Sequence, residues 1–500
     1  MRPIDYRGAR GSNAGDDFHE LWALRQALAL LDQNSGLVAV TVEGLRAEDE
    51  SGAPQDTWEG VDCALYYGRD GASSASHIVI AQLKYSSANP DRAWTVARFT
   101  HSTNTKHDNS VIAKLAKAFL GLKGTQPDVV TSGDVLIRFV SNQQVDPAVV
   151  NALSGQTRSD QSSQRQSSSQ SDRTVLLAAS GLQEEDFEEF AKALDFSECG
   201  QGSRFALEER VLTTISEWTD DDARVDLDHL LRFMRRAMMP EAKGELITRQ
   251  AILAQLGFSD PGALFPCPSA HKTVEQLIPR KVSRSVAEHM KDGAQRICLH
   301  GEGGCGKTTA LQEIEALLPS GSIVVVFDCY GGGRYLDSDA YRHRPRDAFL
   351  QLSNDLAQKL CIPLLVSRSE NLDYPRIFKK RLEKAAQVVA AHAAEALLVV
   401  VIDAADNSIT AATTQSPPER SFVHDFLALG DLPQNVRLLV TTRTGRLPSL
   451  HLSREVSPVE IKGFERHETA VHVRNVWPDA PDTWIDDFHH LSNGNPRVQQ

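Results

Sequence analysis

A glycine-rich loop between a short apolar run and a helix-forming run constrains this chain more than any other feature. Residues 296–300 (RICLH) enter the loop 301–308 (GEGGCGKT), and the helix-forming run LQEIEALL follows. The loop fits G-x-x-x-x-G-K-[ST] in the strand–loop–helix context that this pattern requires. Glycines let backbone N–H groups curl around a phosphate, and the helix N-terminus adds its dipole. The stretch therefore predicts a site for ATP or GTP rather than a simple glycine-rich turn.

Specific roles follow from the chemistry of the loop residues. Lys307 can reach the β- and γ-phosphates, and the Thr308 hydroxyl can bind Mg²⁺. The residues predicted to bind nucleotide here are Gly301, Glu302, Gly303, Gly304, Cys305, Gly306, Lys307, Thr308 and Thr309.

Strands and helices alternate after the loop, as in a parallel α/β sheet. The apolar run 396–402 ends at Asp403, and an acid at the end of a strand beside a phosphate loop can hold Mg²⁺ directly or through water. Asp406 is a candidate for orienting the hydrolytic water, and Asn407 stands where many such ATPases place a second acid. We also consider Arg280, ahead of the loop, as a residue that seats the nucleotide or as an exposed surface arginine.

A third strand, within 436–447, ends in Thr441, Thr442 and Arg443. It resembles the sensor strand of STAND-class NTPases, whose arginine reports on the γ-phosphate; the alternative is a strand followed by a basic turn. Segments 459–477 and 491–500 resemble the helical part that follows in that class. The resemblance implies a GxP-like turn at Gly494–Pro496, with Pro496 near the nucleotide.

The N-terminal part predicts a helix over 14–31 and strands within 37–45, 58–68 and 77–87, the last two paired. Alternation along a strand places Asp62 on one face of its strand, and Gln82 and Lys84 on one face of the next. These three side chains can therefore converge on one pocket, although an ordinary solvated sheet edge would show the same short pattern.

This arrangement resembles the PD-(D/E)xK nuclease core, with Gln82 in place of the more usual glutamate. The resemblance implies that Asp62 and Gln82 hold Mg²⁺ and that Lys84 positions the attacking water, with Glu20 and Glu43 as candidate further ligands. A hard cation prefers oxygen ligands and neutralises charge at the scissile phosphate. Three lysines either contact DNA phosphates or only solvate a helix face: Lys106, Lys114 and Lys117.

Composition limits the class of protein. The net charge of −13 argues against a passive nucleic-acid coat protein, and seven cysteines without a CxxC pair indicate reduced thiols. With no apolar signal sequence and no run long enough to span a bilayer, we expect a cytoplasmic protein without membrane contact.

We expect an α/β multidomain chain, with a restriction-endonuclease-like mixed sheet and helices followed by a P-loop STAND (AAA+-like) parallel-sheet NTPase. The predicted segments are a nuclease domain over 1–215 with a flexible Ser/Gln-rich insert at 154–173, a helical connector over 216–270, an NTPase core over 271–460 and the start of a helical subdomain over 461–500.

The order of nuclease and STAND NTPase resembles the antiviral STAND (Avs) proteins of bacteria. The resemblance implies an antiphage switch in which a C-terminal region, expected to be missing here, senses a phage protein such as a terminase or portal. ATP-bound protomers would assemble, as tetramers, and activate Mg²⁺-dependent cleavage of double-stranded DNA. Two alternatives remain open: a STAND scaffold with a non-catalytic N-terminal domain, and a restriction-type NTPase that translocates DNA.

Overall fold

The structure is a computed structural model that describes residues 9–499, apart from 33, 53, 70, 106–107, 155–162, 220–221, 275 and 338–339. The chain divides into two compact units, Met1–Asp260 and Pro261–Gln500. No helix within the described ranges is long and apolar enough to cross a membrane.

A five-stranded mixed sheet forms the centre of the first unit. Its strands lie in the order of the chain; the first three are antiparallel and the last two run parallel to the third. The predicted pairing of the second and third strands is confirmed. The strands are β1 (Leu37–Val42), β2 (Cys63–Tyr67), β3 (His77–Lys84), β4 (Val135–Ser141) and β5 (Leu194–Asp195).

Helices cover this sheet because its strands are apolar on both faces. Ile78 and Ile80 of β3 lie in a core with Phe139 of β4 and Phe119 from a covering helix, while Phe18 of the first helix is fully buried beside Tyr85. The helices are α1 (Ala9–Leu28), α2 (Ala47–Glu50), α3 (Val96–Phe99), α4 (Val111–Thr125), α5 (Pro127–Thr131), α6 (Pro147–Ser154), α7 (Ser163–Ser180), α8 (Glu184–Ala193), α9 (Arg204–Trp218), α10 (Ala223–Ala237) and α11 (Arg249–Gln255).

Two segments differ from the sequence-based expectation. The Ser/Gln-rich insert at 154–173 is predicted as a loop, but its described part from Ser163 onward belongs to α7; residues 155–162 lie outside the described residues. Leu176 of α7 is fully buried in the core with α4 and α6, and such tertiary packing stabilises a helix that its composition disfavours. The predicted connector is also divided, because α10 and α11 lie in the first unit.

The second unit is built on a fully parallel sheet of five strands. Their order across the sheet is β10–β6–β9–β8–β7, so the glycine-rich loop leaves a strand with neighbours on both sides. The parallel-sheet α/β fold predicted for this part is confirmed. The strands are β6 (Arg296–His300), β7 (Ile323–Asp328), β8 (Leu398–Asp403), β9 (Val436–Thr442) and β10 (Ser457–Glu460).

Both faces of this sheet are covered, which explains the continuous apolar runs of its strands. Val400 of β8 packs in one core and Val399 in the core on the opposite face. The short strand β10 overlaps the first two residues of the segment 459–477 that is predicted as helical, and it gains its hydrogen bonds from β6. The helices are α12 (Lys281–Lys291), α13 (Lys307–Leu317), α14 (Pro345–Leu360), α15 (Tyr374–His392), α16 (Ala405–Thr414), α17 (Phe422–Leu427), α18 (Arg466–Val476) and α19 (Asp482–Ser492).

Candidate functional site

The glycine-rich loop joins the end of β6 to the first residue of α13, as predicted. Gly304 and Gly306 have φ angles of 80° and 91°, a conformation that glycine adopts without strain. At Gly301 an added Cβ would lie 2.1 Å from the carbonyl oxygen of Ile461, so only glycine fits. The loop therefore brings its backbone N–H groups to the N-terminus of α13, where an anion is favoured.

Lys307 and Thr308 begin α13 and both point back toward the loop and the sheet. The Lys307 ammonium donates to the carbonyl oxygens of Gly301 (2.7 Å) and Glu302 (2.9 Å). The Thr308 hydroxyl donates to Oδ2 of Asp403 at 2.7 Å. The two residues predicted to bind Mg²⁺ in this unit, Thr308 and Asp403, are thus adjacent.

Asp403 at the end of β8 is buried and fully hydrogen-bonded. Thr441 donates to Oδ1 at 2.5 Å, and His271 lies with Nε2 3.0 Å from Oδ2. Burial raises the pKa of Asp403, but hydrogen bonds from His271, Thr441 and Thr308 outweigh it and leave the pKa below its usual value. Burial lowers the pKa of His271, but the hydrogen bond to Asp403 outweighs it and raises that pKa. His271 was not predicted from sequence, because nothing in its local pattern links it to Asp403.

The donor set fits Mg²⁺ brought by a nucleotide. Mg²⁺ prefers oxygen ligands and keeps several waters, so one hydroxyl and one carboxylate together with phosphate oxygens are sufficient. Across the described ranges, no group of three or more His, Cys, Asp or Glu side chains is arranged to hold a metal ion by itself. Thr308 and Asp403 would therefore hold the cation only together with the phosphates.

The predicted sensor Arg443 follows β9 and is bound to two side chains of α16. Its Nε donates to Asp406 at 2.6 Å and its Nη2 to Asn407 at 2.9 Å. The pKa of Arg443 is raised, chiefly by the hydrogen bond to Asp406. Asp406 was predicted to orient the hydrolytic water, but its buried carboxylate is committed to the arginine. A buried carboxylate needs a cation, and Arg443 supplies it.

Two cavities flank the loop. The first, the base pocket, has a volume of about 90 Å³ and is mostly apolar. The second, the phosphate cleft, has a volume of about 580 Å³ and contains the charged residues described above. An apolar pocket on one side of a phosphate loop and a charged cleft on the other suit the base and the phosphates of a nucleotide. The base pocket is lined by Leu277, Ile278, Thr309, Phe464, Pro496 and neighbouring residues, and the cleft by Gly303, Gly304, Lys307, Thr308, Asp403, Arg443 and neighbouring residues.

Arg280 is buried and holds the loop rather than lying on the surface. Its Nη1 donates to the carbonyl oxygen of Cys305 at 2.8 Å, and its Nη2 to those of Lys462 (2.8 Å) and Gly463 (3.0 Å). The guanidinium also lies 5.2 Å from the ring centre of Phe464. Arg280 also lines the base pocket, so the alternative of an exposed surface arginine is wrong, whereas its contact with a nucleotide stays a prediction.

The predicted GxP-like turn contacts the loop directly. Asn495 donates from Nδ2 to the carbonyl oxygen of Gly303 at 3.1 Å, and Pro496 lines the base pocket. Arg280 and this turn therefore link the phosphate loop to the segment that carries α18 and α19.

In the first unit, Asp62 precedes β2 and lies across from Gln82 on β3. The last registered pair is Cys63 with Ala81, so the next position places Asp62 opposite Gln82. Oδ2 of Asp62 accepts the N–H of Leu83 at 2.6 Å. Gln82 is almost completely buried, and its Oε1 has no hydrogen-bond partner among the described residues. A buried acceptor without a donor is a position where a cation ligand fits.

Helix α1 adds two residues to this pocket that were not predicted, Asp16 and His19. His19 lies with Nε2 3.1 Å from the carbonyl oxygen of Leu83, and burial lowers its pKa. The pKa of Glu43 is raised to about 7 by burial and by the carboxylates of Asp62 and Asp16. We call this set the acidic pocket; it comprises Asp16, His19, Glu43, Asp62, Gln82 and Lys84. The spacing of three between Asp16 and His19, which puts both on one helix face, could have indicated them.

Glu20 is not part of the acidic pocket. Its carboxylate accepts from Nε of Arg235 at 2.7 and 2.8 Å, on a different face of α1 from His19. Burial raises the pKa of Glu20, although Arg235 opposes the shift. Arg235 thus occupies the Glu20 carboxylate in this structure, and a ligand role for Glu20 stays a prediction.

Two of the lysines predicted to contact DNA carry local counterions. Lys114 lies 3.3 Å from Glu59, and Lys117 lies 3.0 Å from Asp56. Lys106 lies outside the described residues. The charges of Lys114 and Lys117 are thus partly neutralised on α4, which favours the alternative that they solvate a helix face.

A family match covers most of the second unit. Residues 295–480 match the NACHT domain family. A comparison with curated proteins gave no match. Among solved structures, the chain is 18% identical to a Walker-type ATPase of Pyrococcus abyssi, with a TM-score of 0.35 over 47% of this chain and 69% of that one. It is 16% identical to a STAND protein with a tetratricopeptide repeat sensor from Pyrococcus horikoshii, with a TM-score of 0.28 over 47% of this chain and 30% of that one.

The family match coincides with the phosphate loop, the parallel sheet and the pairing of Thr308 with Asp403. Residues 295–480 thus combine a P-loop site on a parallel sheet with a match to the NACHT domain family, which supports a STAND NTPase.

Proposed function

We propose that this protein is a cytoplasmic antiphage switch in which binding of ATP and Mg²⁺ to the second unit controls a DNA endonuclease in the first. The observation that carries the switch is the attachment of the phosphate loop to the C-terminal segment. The loop carbonyls of Gly303 and Cys305 accept hydrogen bonds from Asn495 and Arg280. A ligand that reshapes the loop must therefore also act on the segment carrying α18 and α19.

The acidic pocket supports the nuclease part of the proposal. The Asp62 carboxylate and Oε1 of Gln82, which has no hydrogen-bond partner among the described residues, lie on one face of neighbouring strands, with Lys84 two residues beyond Gln82. They would hold a Mg²⁺ ion, which neutralises charge on a scissile phosphate. Lys84 would then orient the attacking water and stabilise the negative charge that develops.

The remaining parts of the proposal rest on the order of the two motifs along the chain. They are activation by a phage protein such as a terminase or portal, assembly into a tetramer, and double-stranded DNA as the substrate. In this scheme nucleotide binding sets the population of the active state, and hydrolysis resets it.

A phage challenge of bacteria that express single variants tests both sites together. We expect wild type to reduce plaque counts for at least one phage of a broad panel, and Lys307→Ala and Lys84→Ala to lose that protection. Lys281→Ala is the control, because its side chain is 81% exposed. Cellular DNA recovered during infection should be fragmented only in wild type and the control. Protection by both site variants would contradict the proposal.

A STAND scaffold with a non-catalytic first unit is the second candidate. It is favoured by the hydrogen bond that already occupies Oδ2 of Asp62. The same challenge separates the two: protection that survives Lys84→Ala but not Lys307→Ala would indicate the scaffold. A DNA-translocating NTPase would instead show steady ATP turnover stimulated by DNA alone.

A further inference from the structure

The cationic side chains of the phosphate cleft differ in how many contacts they already make with other groups of the protein. Lys307 donates to two loop carbonyls, His271 contacts Asp403, and Arg443 is held by Asp406 and Asn407. Each of these side chains must give up a contact within the protein before it can bind a phosphate oxygen.

Arg497 differs from these three side chains. Lys272 also lines the cleft with an exposed side chain, but Arg497 is in addition bound to the loop through its backbone. Its backbone N–H donates to the carbonyl oxygen of Gly304 at 3.3 Å and to Oδ1 of Asn495 at 3.0 Å. Its side chain is exposed and lines the phosphate cleft, and within the described part of the chain its guanidinium has no recorded acceptor. The backbone of Arg497 is thus fixed against the loop while its charged group is free.

The turn places its last two residues on opposite sides of the loop. Pro496 lines the base pocket, whereas Arg497 lines the phosphate cleft with Lys307 and Arg443. The close approach is visible at Gly304, where an added Cβ would lie 2.9 Å from Cβ of Arg497. Arg497 therefore begins next to a glycine of the loop, on the side where the terminal phosphates are expected.

The negative charge of a nucleoside triphosphate calls for a further cation in the phosphate cleft, and Arg497 can supply it. A nucleoside triphosphate carries more negative charge than one Mg²⁺ ion and one lysine neutralise, and an arginine fork matches phosphate oxygens in bidentate geometry. We propose that Arg497 binds the terminal phosphates of a nucleoside triphosphate, so that the C-terminal segment senses whether the γ-phosphate is present. This inference rests on the proposed nucleotide binding by the second unit.

Arg497 and Arg443 would act in different ways. Arg443 must first leave Asp406, so its binding to phosphate is opposed by an existing ion pair. Arg497 breaks no recorded contact and belongs to the segment that follows the sheet rather than to the sheet. It would make the position of α18 and α19 depend on the phosphate chain directly, through the turn 494–496.

Calorimetric titration of the full chain tests this inference. The ligands are ADP and a non-hydrolysable ATP analogue, each with Mg²⁺, and the variants are Arg497→Ala and Arg497→Lys. For Arg497→Ala we expect about a tenfold loss of affinity for the analogue, the size of one charge-assisted hydrogen bond, and less than about a twofold loss for ADP. The lysine variant should retain part of the preference, because it keeps the charge without the fork.

Arg454→Ala is the matched control, since Arg454 is an exposed arginine outside the phosphate cleft. Unchanged analogue and ADP affinities in Arg497→Ala would overturn the inference, and so would equal losses for both ligands. If wild type bound neither ligand, the nucleotide site itself would be refuted, and the inference with it. Since Arg497 is exposed, we expect the variants to fold, which far-ultraviolet circular dichroism verifies.

Discussion

The two polar sites of this molecule are built on opposite principles. In the phosphate cleft the central carboxylate, Asp403, accepts hydrogen bonds from Thr308 and Thr441 and contacts His271. In the acidic pocket the buried Oε1 of Gln82 has no partner among the described residues, and burial together with neighbouring carboxylates raises the pKa of Glu43.

The difference shows which site keeps its shape without a ligand. A buried polar group with all its partners stabilises the fold, whereas an unpaired one costs free energy until a ligand binds it. The cleft should therefore lose stability when a side chain is removed. Removal of a side chain from the acidic pocket should lower the free energy of unfolding by less, and at Gln82 it should leave it unchanged or raise it. The following predictions test that contrast.

The largest effect is expected for Asp403→Ala in the cleft. This change leaves His271 with the more distant carboxylate of Asp328, 3.6 Å away, and removes the acceptor of the buried Thr441 and the half-buried Thr308 hydroxyl groups. The free energy of unfolding of the second unit should therefore fall by about 3–5 kcal/mol. Hydrogen exchange of the β8 amides in increasing urea measures it. Asp479→Ala, an exposed aspartate, is the control and should change little. A loss below about 1 kcal/mol would contradict the view that the cleft is held by its own contacts.

A smaller effect is expected for Asp62→Ala in the pocket. The N–H of Leu83 loses its acceptor, which costs about 1–3 kcal/mol, but Glu43 also loses a repelling neighbour. Hydrogen exchange of the β3 amides measures the net loss, which should lie in the lower half of that range. A loss equal to that of Asp403→Ala would remove the contrast between the two sites.

Sequence reasoning succeeded where function depends on residues close together in the chain. The loop 301–308 carries its own spacing and its own flanking strand and helix, so its place at the end of β6 was predictable. Asp403 and Arg443 were also found, because each follows an apolar run that ends as a strand. Alternation along two paired strands predicted that Asp62 and Gln82 could face one pocket, and the observed register places them opposite each other.

Sequence reasoning failed where the contact is distant in the chain. His271 reaches Asp403 across about 130 residues, and Glu20 pairs with Arg235 across 215 residues. Glu20 also lies one helical turn from Asp16, so spacing along α1 gave no reason to prefer His19 over it. The helix α7 was missed for the same reason, since its stability comes from packing against α4 and α6 rather than from its own residues.

For Gln82→Leu we expect no loss of stability, and a gain of up to about 1 kcal/mol, in the absence of divalent cations. Leucine has a similar volume and removes a buried acceptor that lacks a donor. Thermal unfolding, monitored through hydrogen exchange of the β3 amides, measures this change in stability.

The same variant also tests cation binding. Addition of MgCl₂ should stabilise wild type and leave Gln82→Leu unaffected, because a ligand that binds only the folded state raises its stability. Gln143→Leu is the matched control, since Gln143 is equally buried but has hydrogen-bond partners. It should lose stability while it retains the response to MgCl₂. An equal loss of stability in both glutamine variants would show that Oε1 of Gln82 also has a hydrogen-bond donor.

The smallest effect is expected for Glu43→Gln, and its sign depends on pH. The pKa of Glu43 rises from 4.5 to about 7 on folding, so its contribution to stability is full below pH 4.5 and is lost as pH rises through 7. Glutamine cannot ionise, so the variant lacks this pH dependence. Between pH 4 and pH 8 the free energy of unfolding should therefore fall less in the variant than in wild type. Part of the side chain is open to solvent, and screening should keep the difference below about 1 kcal/mol.

Urea denaturation of wild type and Glu43→Gln from pH 4 to pH 8 measures this difference, with Glu209→Gln on an exposed part of α9 as the control. Besides burial, the carboxylates of Asp62 and Asp16 disfavour the ionised form of Glu43. Asp62→Asn should therefore shrink the pH-dependent difference, since one of the two repelling charges is gone. A Glu43→Gln variant that becomes less stable than wild type as pH rises would mean that Glu43 is held by a cation of the protein. In that case the pocket would resemble the cleft after all.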